Sequence, residues 1–207
     1  MQTVAVISQK GGVGKTTLAL HLAVAAERAG KTTVLVDLDP QASAATWKDL
    51  RQDETPFVQP AQVNRLGTIL VEAQKHGAEF AVIDTSPNSE SASLAAARAA
   101  DFVLIPCRPH LLDLKAISSS IELAKLAKKP YAVVLNAVPT RGAIAAEAIA
   151  AVNQYGALVA PVHIGMRAAY YHCLVAGQVA QEYEPTGKAA EEAFALYKWT
   201  AKQLVKM

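Results

Sequence analysis

Lys10–Gly11–Gly12–Val13–Gly14–Lys15–Thr16–Thr17 decides how the rest of the chain is read. An apolar run, Val4 to Ile7, leads into it, and apolar residues at helical spacing begin at Leu18. A strand that enters a tight turn followed by a helix brings unpaired N–H groups and the positive end of the helix dipole toward whatever occupies the turn. Gly11, Gly12 and Gly14 lack Cβ, so the backbone can curl through positive φ and present several N–H groups to phosphate oxygens. Lys15 supplies a point charge for the terminal phosphates, and the Thr16 hydroxyl is placed to ligate Mg²⁺. A glycine-rich turn can be no more than a turn, but here the Gly-Lys-Thr triplet falls at the junction where phosphate binding needs it. The stretch predicts a polyphosphate site.

The ordinary GxxxxGK[ST] pattern would place its first glycine at position 9, where Gln9 stands, and a second lysine, Lys10, precedes the double glycine. This KGGxGK[ST] arrangement resembles the deviant Walker A motif of the ParA/MinD family of P-loop ATPases. The resemblance implies ATP/ADP and Mg²⁺ as cofactors, bound by Gly11, Gly12, Val13, Gly14, Lys15, Thr16 and Thr17. It further implies an ATP-dependent homodimer in which Lys10 reaches the phosphates of the partner subunit, with Lys10, Lys15 and Asp39 as the catalytic set.

Further along, Thr32 to Val36 reads as a buried strand closing in Asp37–Leu38–Asp39–Pro40–Gln41, two carboxylates at a strand end, where open α/β sheets bind ligands. By itself this marks a solvated turn before a helix. Beside Lys10, DxDPQ resembles the switch I element of the ParA branch, which implies that Asp39 positions the attacking water or the Mg²⁺ shell while Asp37 supports it and Gln41 lies near the γ-phosphate. Phosphoryl transfer to water asks mainly for positioning and charge stabilisation, which a carboxylate beside an in-line water supplies. Phe80 to Asp84 is an apolar strand ending in a carboxylate, the Walker B form, so Thr16, Asp39 and Asp84 are the candidate metal residues. Thr85–Ser86–Pro87–Asn88 resembles switch II, and Phe102 to Asp113, "VLIPxxPxxLD", resembles the same family again. The resemblance places Asn136 near the adenine ring and Pro109 near the dimer interface; Arg141 faces nucleotide, partner or solvent.

Strand patterns alternate with helical ones: helices over 18–29, 43–51, 61–76, 91–100, 113–129, 143–155 and 188–206, and strands at 102–105, 131–135 and 158–164, the last interrupted by Pro161. Residues 53–60 read as a polar connection. Alternation of this kind predicts an α/β fold with a doubly wound, mostly parallel sheet and helices on both faces, and the resemblance implies that this is a P-loop NTPase. At 207 residues a single domain spanning 1–207 is expected. Trp47 is expected to pack, and Tyr170 and Tyr171 to be half-buried anchors. On the last helix Phe194, Tyr197, Ala201, Leu204 and Val205 should share one side, leaving a basic stripe of Lys198, Lys202 and Lys206 that suits either the helix dipole and solubility or an anionic surface.

The net charge of +2 does not announce a nucleic-acid binder, so any DNA contact must be a local patch. Cys107 and Cys173 have no metal-ligand spacing and are expected as buried thiols in a reducing cytosol. The first strand opens at Thr3, so neither a signal peptide nor an operator-binding extension is expected, and no apolar run is long enough to span a bilayer. The resemblance as a whole implies a ParA-like partition ATPase, cytoplasmic and nucleoid-associated in its ATP state. It would bind DNA without sequence preference, act with a ParB-like or cargo-bound stimulating protein and make no stable membrane insertion. A relative that positions a protein cluster or compartment, and a MinD-like division regulator at a membrane surface, are the alternatives the residues leave open.

Overall fold

The computed structural model describes residues 1–206. Its centre is a six-stranded sheet in the order β3-β2-β4-β1-β5-β6, formed by β1 (Gln2–Val6), β2 (Thr33–Asp37), β3 (Phe57–Pro60), β4 (Phe80–Asp84), β5 (Phe102–Cys107) and β6 (Tyr131–Leu135). Every pairing is parallel. Parallel neighbours need crossovers, and the intervening helices are α1 (Lys15–Arg28), α2 (Ser43–Leu50), α3 (Leu66–Lys75), α4 (Glu90–Ala99) and α5 (Leu111–Ala127). After β6 come α6 (Ile144–Gln154), α7 (Ala169–Val175), α8 (Ala180–Tyr183) and α9 (Lys188–Val205).

Because side chains alternate across a strand, each strand feeds two cores. Val4, Val6, Val82, Leu104 and Val134 pack with α1, α8 and α9 on one face. Ala5, Ile7, Ala81, Ile83, Val103, Ile105 and Val133 pack with α3, α4, α5 and α6 on the other. Both faces are covered, which is why the strands read as continuous apolar runs rather than alternating ones. Strand order reverses around β1, with β4 on one side and β5 on the other. Such a reversal opens a crevice at the carboxyl ends of the strands, and here the glycine loop occupies it.

Three expectations need correction. Residues 57–60 are not plain connection but an edge strand, which ends at Pro60 as an edge tolerates. Residues 158–164 do not form a strand: they run beside β6 through isolated bridges, Val133 with Val159 and Val138 with Gly165. Pro161 between these points has no N–H to donate, so the ladder is broken there. On α9, Tyr197 and Leu204 are buried and Phe194 and Ala201 pack partly against the core, but Val205 is 78% exposed. The inward line continues instead through Ala189, Ala193, Leu196 and Thr200.

Candidate nucleotide site

The loop between β1 and α1 turns through two left-handed glycines, Gly12 (φ 72°) and Gly14 (φ 89°). At Gly14 the requirement is doubled, because a Cβ there would collide with the Asn136 amide. Asn136 sits just past β6 and donates from Nδ2 to the Val13 carbonyl at 2.6 Å, while its own N–H holds the end of β5 through Cys107 O at 2.8 Å. It lines the same cavity as the loop, but its amide braces the loop backbone. Lys15 opens α1 and is buried, with Nζ donating to Lys10 O at 3.2 Å. Burial lowers its pKa, and the nearby Asp84 and Asp39 carboxylates oppose that shift.

Gln9 stands where the ordinary pattern has glycine and has work of its own. Its side chain donates to Ser93 Oγ at 3.0 Å and to Ser89 O at 3.4 Å, and its carbonyl accepts from Asn88 N–H at 3.2 Å. The segment 85–88 is thereby tied to the phosphate loop, and Pro87 lies against Gly11. Lys10 is exposed, with Nζ 3.7 Å from Asp113 Oδ1 on the first turn of α5. Beside it Leu111 and Leu112 are 67% and 70% exposed. Pro109, which follows Arg108, is buried within its own chain.

Parallel register sets the carboxylates. β2 and β4 pair Asp37 directly with Asp84, so both reach the crevice at one level. Asp37 is buried and accepts from Asp39 N–H at 2.9 Å and from Ala44 N–H at 3.0 Å. It therefore shapes the turn that presents Asp39, which is half-buried and lines the cavity. Asp84 is fully buried; Oδ1 accepts from Thr85 N–H at 3.0 Å and Oδ2 has no hydrogen-bond partner. Burial pushes its pKa up to about 7; the Thr16 hydroxyl opposes this, Asp37 adds to it, and Lys15 and the Thr85 N–H oppose it.

The cavity that Asp39 and the loop line has a volume of about 330 Å³. Loop glycines, Lys15, Thr16, Thr17 and Asp39 form one part of its wall, and Asn136, Met166, Arg167, Tyr170 and Tyr171 another. Tyr170 is a buried anchor whose hydroxyl donates to Ala189 O at 2.9 Å, whereas Tyr171 is 60% exposed. Arg167 is held by Glu192, Nε to Oε1 at 3.0 Å, so its charge is balanced within the chain. Arg108 also lines the cavity, a residue that the motifs leave free. An orphaned carboxylate oxygen beside a loop hydroxyl is the donor set Mg²⁺ favours, and a loop that curls through positive φ at Gly12 and Gly14 suits phosphate oxygens approaching its N–H groups. Thr16 and Asp84 are thus the residues that would hold the ion, and Asp39 lines the same cavity as Thr16.

Residues 4–177 match the model of the CobQ/CobB/MinD/ParA nucleotide binding domain. The chain belongs to that family. Members similar over nearly its whole length include maintenance of carboxysome distribution protein A of Gloeobacter kilaueensis, 35% identical with 98% of this chain and 94% of that one covered. The protein of the same name from Halothiobacillus neapolitanus is 28% identical over 92% and 91%. Among solved structures, an ATP complex of Cyanothece McdA superposes with a TM-score of 0.80 at 17% identity, covering 97% of this chain and 96% of that one. That likeness establishes a shared fold in this family.

Proposed function

We propose that the chain is a Mg²⁺-dependent ParA-like ATPase that works as an ATP-dependent sandwich dimer to position cargo along DNA. The observation that carries the reading is that Lys15, Thr16 and Asp39, the last on its Asp37-braced turn, line one crevice while the buried Asp84, with its free Oδ2, lies within interaction range of Thr16 and Lys15. Mg²⁺ when bound would neutralise charge on the β- and γ-phosphates. Around it Thr16 and Asp84 hold the ion, Asp39 orients the attacking water, and the loop N–H groups and Lys15 stabilise charge on the phosphate oxygens. Support for the dimer comes from the exposure of Lys10, held only by Asp113, together with Leu111 and Leu112, exposed apolar residues on the same turn of α5 as Asp113. Contacts to the γ-phosphate would favour the paired state, and their loss on hydrolysis would remove that preference.

The relatives matched over nearly their full length are named for carboxysome distribution, which favours a large protein assembly as the cargo. Plasmid or chromosome partition is the second reading, favoured by 30% identity to the chromosome-partitioning ATPase Soj of Thermus thermophilus over 57% of this chain. Both use the same cycle, with a cargo-bound protein stimulating slow hydrolysis, in a cytoplasmic, nucleoid-associated protein. Membrane anchoring has less support: none of the described helices is long and apolar enough to cross a membrane, and the lysine-striped α9 packs its apolar side into the core.

A salt titration of DNA binding by purified protein with ATP, ADP or no nucleotide tests this. Binding restricted to ATP, steeply salt-sensitive and indifferent to sequence is expected. No DNA binding in any nucleotide state would overturn the DNA-based reading.

A further inference from the structure

Three cationic side chains stand at the phosphate loop, and two have carboxylate company. Lys15 is under the influence of Asp84 and Asp39, and Lys10 faces Asp113. The third, Arg108, has none: no carboxylate among the described residues pairs with it. Its Nε is buried without a hydrogen-bond partner, and Nη2 comes within 4.0 Å of where a Cβ on Gly12 would stand. The side chain lines the same cavity as Lys15, Thr16 and Asn136. Its backbone is well fixed: β5 ends one residue earlier, Asn136 N–H holds the Cys107 carbonyl, and the buried Pro109 follows.

A buried guanidinium donor without an acceptor costs free energy, and that cost is removed when an anion arrives. Guanidinium is a planar fork of donors that suits phosphate oxygens two at a time, unlike the point charge of lysine. We propose that Arg108 is a nucleotide-contacting residue, supplied in cis from the end of β5, whose guanidinium binds phosphate oxygens of the bound nucleotide in addition to Lys15. This rests on the nucleotide-binding reading and adds to it a ligand that neither the loop motif nor the two switch segments contain.

The test is titration of wild type, Arg108→Ala and Arg108→Lys with fluorescent Mg-ADP, a ligand whose binding needs no second subunit, together with thermal melts of each apo protein. The expected result is a loss of ADP affinity of about tenfold or more for Arg108→Ala, the size of a charge-assisted hydrogen bond. Arg108→Lys should fall in between, and the apo melting temperature of Arg108→Ala should be unchanged or raised, since an unpartnered donor has gone. Undiminished ADP affinity in Arg108→Ala would overturn the proposal. So would a lowered apo melting temperature in both variants with affinity lost only in proportion, the signature of a structural brace. Wild type that fails to bind ADP would instead overturn the underlying nucleotide reading, a result distinguishable because it precedes any comparison of variants.

Discussion

Asp84 carries a large electrostatic penalty at the buried end of β4. A folded-state pKa raised from 3.8 to about 7 means that the native protein keeps a proton which the unfolded chain gives up. Apo stability contributed by this group therefore falls as pH rises from about 4 to 7, and is lowest above 7. Asp84→Asn removes the charge while keeping an acceptor for Thr85 N–H. The expected outcome is an apo protein more stable by about 2–4 kcal/mol near pH 8, measured by denaturant melts, with Mg²⁺-dependent ATP turnover lost. An unchanged melt would mean that the carboxylate is not paying a burial cost. Lys15→Ala should remove nucleotide binding itself, read by calorimetry with Mg-ADP; retained affinity would contradict the role given to the loop lysine.

At the level of elements, α1 is tied to the C-terminal third of the chain through His21. Nδ1 lies 2.7 Å from Thr17 O and Nε2 lies 3.0 Å from the Ala180 N–H, so the neutral ring donates from one nitrogen and accepts at the other. A proton on Nε2 would face an N–H. Burial, opposed by Thr17 O and Glu182, accordingly holds the pKa down at about 4 against a usual 6.5. Below pH 6.5 the unfolded chain binds a proton that the native state refuses, so this stabilisation is full above 6.5 and is lost as pH falls toward 4. The stability gap between wild type and His21→Gln should therefore narrow by ~3 kcal/mol from about pH 7 to about pH 4.5, a difference in which Asp84 cancels. A gap independent of pH would refute the tautomer assignment. None of this could be read beforehand, because Ala180 lies 159 positions from His21 and only the packing of α8 on α1 brings them together. Elements whose signal is local were legible: β4, α1, α5 and β6 all lie within a few residues of where periodicity and strand-end aspartates put them. β3 escaped because a four-residue edge strand flanked by polar residues and ending in proline carries too little apolar pattern.

Across the whole molecule, the phosphate loop, Asp84 and Asp39 were legible because each stands at the end of a strand, and a parallel sheet gathers strand ends automatically. The Asn136 brace on Val13, the Gln9 tie to the segment at 85–88 and the unpaired Arg108 were not, since each depends on which strands become neighbours. The proposed dimer also belongs to this scale. Lys10→Ala should leave a folded monomer that binds Mg-ADP but fails to pair with a non-hydrolysable ATP analogue in light scattering, whereas Asp39→Ala should pair and stay paired with ATP, turnover being lost. Pairing by Lys10→Ala would sink the sandwich arrangement, and normal turnover by Asp39→Ala would sink the role given to that carboxylate.

In the proposed cycle Asp113 would weigh on the side of separation. An exposed ion pair such as the one it makes with Lys10 is weak, about 0–1 kcal/mol, too little to bar the lysine from a neighbour's triphosphate. Yet the carboxylate stays behind when the lysine departs, an intramolecular rival always within reach. Once the terminal phosphate leaves, the lysine has somewhere nearer to go, so recapture by its own subunit would bias the pair toward separating rather than rebinding.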